Sequence, residues 1–398
     1  MIGQMVIGTD GRITENNRIQ RRDTGEYHSR VFTDRPDYAD FDAPHKFLAI
    51  RSIIAKRLIE HPNAICSYSG GSDSDIMIDL IESVRMEYQL PPVKYVFFNT
   101  GLEMRATKEH VRETAERYGV EIETVRPRVG IVTAVRRYGV PFVSKIMSAG
   151  LGEWQRKGVP LSIADEYEEA EDKSAKRQEL RERYPGCESV INFLCCCNRD
   201  GEPRPNIQLV INSSAYMLDY IREYPPTFKI SAKCCDYCKK DVAHRIQRNY
   251  EMIITGERRD EGGMRSVPRG DNAALCFGEY GDGQWRLRPI YYVSDADKAW
   301  YKARYGLRYS DAYEVYGLTR TGCCGCPISY KAALDLEMIR PYEPNLVKAA
   351  WNVFGDSYRY RERYNEYKAA RMAEEKRKKQ QLPGQIDIEQ IEQEGASA

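Results

Sequence analysis

The chain has 398 residues, 42% hydrophobic and 30% charged, with 60 Lys and Arg against 59 Asp and Glu for a net charge of +1. That composition suits a globular core of one large domain or two, and the near-neutral charge argues against a strongly basic nucleic-acid binder, leaving room only for a local patch. No unbroken apolar run is long enough to span a bilayer, and Asp10, Arg12 and Glu15 deny the N-terminus the apolar core of a signal peptide; a cytoplasmic protein with no membrane partner is expected.

Residues 1–45 are polar and read as an arm draped over the folded domain. The apolar run 64–68 predicts a buried strand, and the apolar spacing from Ile76 to Val84 predicts a helix; between them lies Ser69-Gly70-Gly71-Ser72-Asp73-Ser74. Strand-like runs recur at 94–99, 120–126 and 251–255, separated by amphipathic stretches such as 105–118. That alternation predicts an α/β fold, a doubly wound and mostly parallel sheet covered on both faces. Residues 146–232 read as an insertion, helical and charged over 163–183, then carrying Cys195, Cys196 and Cys197 and the Pro203-Arg204-Pro205 turn. Residues 331–380 read as a helical C-terminal cap and 381–398 as a disordered tail, so the nucleotide-binding domain is expected over 46–330. No internal repeat is present.

A strand-to-helix turn with paired glycines leaves successive N–H groups and a helix N-terminus pointing at one spot, where an anion such as phosphate can sit. Ser69, Ser72 and Ser74 add hydroxyls, and Asp73 adds a carboxylate able to hold Mg²⁺ against a polyphosphate. Ligands of such sheets bind beyond the carboxyl ends of the strands. Residues 69–74, the Asn99-Thr100-Gly101 turn, and Gly256 followed by Arg258, Arg259 and Arg265 all fall there, with arginine forks suited to phosphate or sulfate; Lys145 is a further candidate.

Twelve cysteines in a reducing compartment are not expected to form disulfides. Cys66, Cys187 and Cys276 stand alone and read as small buried hydrophobes, and three adjacent thiols at 195–197, unable to face one way, read chiefly as packing residues. Cys234-Cys235-Asp236-Tyr237-Cys238 and Cys323-Cys324-Gly325-Cys326 read as metal-ligating groups. Cys235, Cys238, Cys323 and Cys326 form paired C-x2-C units that would suit tetrahedral zinc.

As an ordered set, these segments resemble a known family. Residues 69–74 resemble the SGGxDS loop of the PP-loop ATP pyrophosphatases, with Ser72 standing where many members carry Lys. Tyr95 to Glu103 resembles the D-T-G segment of phosphoadenylylsulfate reductases, with Asn99 for the usual Asp. Gly256 to Arg265 resembles their T-G-x-R-R loop, and Arg288-Pro289-Ile290 with Ser294 to Trp300 resembles their R-P-[IL]-x-x-W segment and capped helix. The resemblance runs from about residue 46 to about residue 330 and implies an adenine nucleotide alpha-hydrolase-like fold. It also implies Cys234, Cys235, Cys323 and Cys326 as ligands of a [4Fe-4S] cluster, an alternative to the zinc set that the resemblance favours. The intact loop, with no cysteine after Cys326 to act as a reductase nucleophile, is similar to the sulfur-inserting branch exemplified by DNA phosphorothioation enzymes and iron-sulfur tRNA thiolases. The activity so implied is cleavage of ATP, with Mg²⁺, to AMP and pyrophosphate and adenylation of an acceptor for sulfur transfer. Asp73, Arg258 and Arg259 would be catalytic, the acceptor a nucleic acid, and a cysteine desulfurase a candidate sulfur donor. Sulfonucleotide reduction through Cys276 or Cys324, or nucleotide sensing without turnover, are the competing readings.

Overall fold

The computed structural model of the chain describes residues 36–197, 216–261, 276–280 and 283–380, together with the backbone of four short N-terminal strands. Those strands make two antiparallel hairpins, β1 (Gln4–Ile7) with β2 (Ile13–Asn16) and β3 (Gln20–Arg22) with β4 (Gly25–Tyr27). The Pro203-Arg204-Pro205 turn, Arg265 and the tail after 380 lie outside the described residues.

Six strands build the main sheet: β5 (Ala64–Ser67), β6 (Lys94–Phe98), β7 (Ile122–Val125), β8 (Met252–Ile254), β9 (Phe277–Tyr280) and β10 (Gln284–Leu287). Their order is β7-β6-β5-β8-β10-β9, parallel except where β9 meets β10. The four strands expected from the sequence form within two residues of the expected ends; β9 and β10 were not anticipated, and they widen the sheet beyond β8.

Side-chain alternation explains why the central strands are apolar throughout. Ala64 and Cys66, Tyr95 and Phe97, and Met252 and Ile254 face one core, while Ile65, Val96 and Ile253 face the other. The first core is closed by α1 (Ala43–Glu60), through Phe47, Ile50, Ile54 and Leu58, and by α2 (Ser72–Glu87), through Ile76, Met77, Leu80, Ile81 and Val84. Ile246 and Tyr250 pack on the second face. The fold is therefore a doubly wound, mostly parallel α/β sheet. Because β6 lies on one side of β5 and β8 on the other, the chain reverses winding direction at β5, which is where such sheets open a crevice.

The chain divides into two compact units, one holding the sheet (residues 1–137, 233–326 and 331–353) and one made of 138–232, 327–330 and the residues from 354 onward. The second unit has its own core, with Phe142, Leu151, Ile163, Leu180, Phe193 and Tyr220 among its buried members. Cys195 and Cys197 lie in that core while Cys196, in a left-handed conformation at φ +53°, is half-buried, so this triplet packs as expected. No helix among the described residues is long and apolar enough to cross a membrane.

Candidate active site

The loop after β5 closes on itself. Gly70 takes φ +66°, a left-handed turn that a side chain would strain, and a Cβ there would stand 2.8 Å from Thr107 Cγ2. Ser74 Oγ accepts from Gly71 N at 3.0 Å and donates to Gly71 O at 2.6 Å, and it lies 3.1 Å from Ser69 Oγ. Two of the serines therefore shape the turn. Gly71 is the N-cap of α2 without a capping side chain, and a Cβ on it would meet Thr321 Oγ1 at 2.9 Å and Tyr313 Oη at 3.2 Å. Ser72 N faces Tyr313 Oη at 3.4 Å. Gly256, after β8, lies against the same turn, since its Cβ would come within 3.2 Å of Asp73 O.

Asp73 is clamped by cations. Its Oδ1 accepts from Arg258 Nε at 2.8 Å and from Lys298 Nζ at 2.7 Å. Arg258 is buried; its other nitrogens donate to Val293 O at 3.0 Å and to Asp295 Oδ1 at 2.7 Å, and these carboxylates hold the guanidinium charged against the cost of burial. Arg259, the next residue, is exposed. One turn into α2, Asp75 is buried and accepts from Tyr68 Oη at 2.5 Å and sits 2.9 Å from His110 Nε2, while its second oxygen has no partner among the described residues.

After β6, Thr100 Oγ1 donates to the buried Glu103 at 2.8 Å and lies 3.3 Å from Cys323 Sγ. Gly101, at φ +100°, donates its N–H to Asn99 Oδ1 at 3.0 Å and to Glu103 Oε2 at 3.1 Å. The Asn99 turn and the Cys323 turn are thus joined, and Cys324 N donates to Leu102 O at 2.8 Å in support. Cys234 and Cys235 sit on a short helix, Lys233–Cys235, that runs into a π-helical turn, Asp236–Lys240, a distortion common at functional sites. A hydrogen bond to Cys235 and burial push the Cys234 thiol up, with Cys326 and Cys323 adding to it, so those four thiols share one neighbourhood. Lys239 lies beside Cys323, Glu103, Cys235 and Cys326, which raise the affinity of its amine for a proton. Cys238 is pushed up to about 11 by burial and its thiol donates to Val129 O at 3.3 Å. By its chemistry, a set of four thiols with an ammonium and a hydroxyl nearby suits a thiolate-bound cluster or zinc. No three His, Cys, Asp or Glu side chains among the described residues converge closely enough to hold an ion as they stand.

Of the residues expected in the site, those at 69–74, Gly256 and Arg258 meet around the first turn of α2, and Thr100 meets Cys323. Arg259 stands apart in solvent, Lys145 is exposed, and Arg265 is outside the described residues. Sequence reasoning missed Lys298, Tyr313 and Thr321. Lys298 did leave a signal: it follows the Ser294–Asp297 capping box of the helix Asp295–Tyr305, and a cation so near a helix N-terminus opposes the dipole. Thr321 left none, yet it ties the two halves of the site, touching the glycine turn two residues before Cys323.

Comparison with solved structures finds a phosphoadenylyl-sulfate reductase from Candida auris in a phosphate complex, 13% identical, covering 71% of this chain and 93% of that one at a TM-score of 0.34. An NH3-dependent NAD synthetase from Campylobacter jejuni is 12% identical over 80% of this chain and 96% of that one, TM-score 0.29. A U34-tRNA thiolase from Methanococcus maripaludis with its [4Fe-4S] cluster is 11% identical over 81% and 79%, TM-score 0.32. No curated protein matches the chain. Residues 63–146 match the family model of the phosphoadenosine phosphosulfate reductase domain, a stretch that holds β5, the glycine turn, α2, β6 and β7 and so carries two of the three loops of the site.

Proposed function

We propose that the chain is an enzyme that binds ATP with its phosphates on residues 69–74 and transfers the adenylyl group to an acceptor, releasing pyrophosphate. The observation that carries this reading is the joining of the glycine turn to the thiol group: Thr321 lies at Gly71, and Cys323, two residues on, lies 3.3 Å from Thr100. A phosphate site and a set of sulfur ligands side by side suit activation of an acceptor followed by sulfur chemistry. In the adenylyl step an acceptor oxygen bonds to the α-phosphorus as the bond to the oxygen bridging the β-phosphorus breaks, and pyrophosphate leaves with the electron pair. Charge building on that leaving group is met by the N-terminus of α2. Arg258, committed to Asp73, Asp295 and Val293 O, is a positioning residue in this scheme. Mg²⁺, when bound, would neutralise phosphate charge, and Asp73 is the carboxylate of the loop that would hold it.

Cys234, Cys235, Cys323 and Cys326 would hold an iron-sulfur cluster, with zinc the alternative; Cys238, committed to Val129 O, is the weaker ligand. Such a cluster would supply a site for activating sulfur. The acceptor in this reading is a nucleic acid, and the sulfur comes from a donor protein such as a cysteine desulfurase.

Sulfonucleotide reduction is the second reading, favoured by the domain match over 63–146. It needs a nucleophilic thiolate, and burial pushes Cys276 up to about 11 and Cys324 up to about 12, which leaves both poorly ionised near neutral pH.

Anaerobically purified protein, analysed for iron and sulfide and then given ATP, Mg²⁺ and bulk nucleic acid, tests both. Pyrophosphate release that Asp73→Asn abolishes is the expected result. ATP cleavage that survives Asp73→Asn, or sulfite release from adenylyl sulfate with thioredoxin in place of ATP cleavage, would overturn it.

A further inference from the structure

The hexapeptide 69–74 has no basic residue of its own, yet an ammonium group lies at its centre. Lys298 Nζ is 2.5 Å from Ser72 Oγ and 2.7 Å from Asp73 Oδ1, on a side chain only 17% exposed. Helix stability does not explain a lysine there, because the first turn of Asp295–Tyr305 disfavours a cation. Asp73 does not require it either, since Arg258 already donates to the same oxygen at 2.8 Å. The helices α2 and Asp295–Tyr305 are held together at their first turns by Arg258 and Lys298, so two positive dipole ends share the place. A second observation marks that place as incomplete. Tyr309 is 8% exposed, its hydroxyl has no partner among the described residues, and Asp75, Asp73, Arg258 and Glu314 are its charged neighbours. The Lys298 ammonium stands 5.7 Å from the centre of that same ring, with Lys302, which is paired to Glu314, at 4.7 Å.

We propose that Lys298 is the phosphate-binding cation of the loop, supplied from a distant helix. When a nucleotide enters, the ammonium, on its flexible four-carbon stem, exchanges the oxygen of Asp73 for oxygens of the β- and γ-phosphates, the part of ATP that leaves as pyrophosphate. It stays protonated throughout, and no covalent bond changes. Because Nζ lies at Ser72 Oγ, a lysine placed at position 72 delivers its charge to the same point.

This inference rests on the ATP reading above, and the test separates the two. ATP and AMP are titrated into wild type, Lys298→Met, and the double variant Ser72→Lys with Lys298→Met, each checked for an unchanged circular dichroism spectrum. Loss of one charge-assisted contact predicts that Lys298→Met weakens ATP about 30-fold and AMP less than about 3-fold. The double variant is expected to recover most of the ATP affinity, which a purely structural role for Lys298 would not allow. Wild type that binds ATP together with an unchanged Lys298→Met, or equal losses for ATP and AMP, overturns the role of Lys298 alone. Wild type that does not bind ATP overturns both readings.

Discussion

Two adjacent arginines show how little a local sequence says about the role of one side chain. Glu257-Arg258-Arg259-Asp260-Glu261 has no period that separates inside from outside, and the resemblance to a T-G-x-R-R loop implied that both arginines act on the substrate. The chain leaves β8 with Arg258 turned inward to Asp73, Asp295 and Val293 O and Arg259 turned to solvent. Removing Arg258 strands Asp73 beside a buried gap, which costs about 3 kcal/mol for a broken buried pair, less what Lys298 recovers. Arg259→Ala should stay within about 0.5 kcal/mol of wild type, as exposed substitutions do. Urea denaturation of Arg258→Met and Arg259→Ala measures both; comparable losses from the two would show that Arg258 is not the clamp. The glycine turn, by contrast, was legible down to the residue, because only glycine relieves the φ +66° at position 70 and an apolar strand precedes it. The partner of Lys298 was not, because the contact spans more than two hundred residues of sequence, and no local pattern encodes a partner that distant.

Among elements, three strands were legible because both faces of β5, β6 and β8 are buried, which writes them as short unbroken apolar runs. The pair β9 and β10 was not, although Phe277 and Trp285 alternate with polar neighbours around Gly281-Asp282-Gly283, a hairpin signal. The π-helical turn at 236–240 had no signature in the spacing of its cysteines. Packing also reverses a propensity argument in the second unit. Gly150 lies inside the helix Lys145–Lys157, where alanine would gain about 1 kcal/mol from helix propensity alone. A Cβ there would lie 2.3 Å from Phe193 Cδ2, and overpacking of that kind costs about 1–3 kcal/mol. The clash should win: Gly150→Ala is expected to lower the urea midpoint, and a raised midpoint would mean that Phe193 moves aside at no cost.

At the scale of the whole molecule, charge balance and buried titratable groups set the response to pH. Burial pushes Cys66 and Cys195 each up to about 12, and it raises Tyr68 and Tyr95 well above the ordinary tyrosine range. In the unfolded chain thiols ionise from about 8.5. Native thiols therefore keep protons that the unfolded chain loses, so their contribution is complete below about pH 8.5 and is lost as pH rises toward 12, with the tyrosines acting in the same direction. Urea midpoints are expected to hold from pH 7 to 8.5 and fall steadily by pH 10.5; a flat or rising curve over that interval would contradict the burial of these groups. The doubly wound sheet was legible at this scale from the alternation of strand and helix. The composition of the second unit was not, because its core draws on Phe142, Leu180 and Tyr220 together with Tyr360 and Tyr364, far apart in the chain.

Calorimetric titration of Mg²⁺ and ATP into wild type and Ser72→Asp asks whether the turn at 69–74 holds the phosphates of ATP. An acidic residue in the first turn of α2 suits the helix dipole and can pair with Lys298, so the fold should keep its melting temperature within a few degrees while the added charge repels phosphate. Wild type is expected to bind saturably, with a loss of about 100-fold or more in Ser72→Asp. Equal binding by the two proteins, or none by wild type, would contradict that role of the turn.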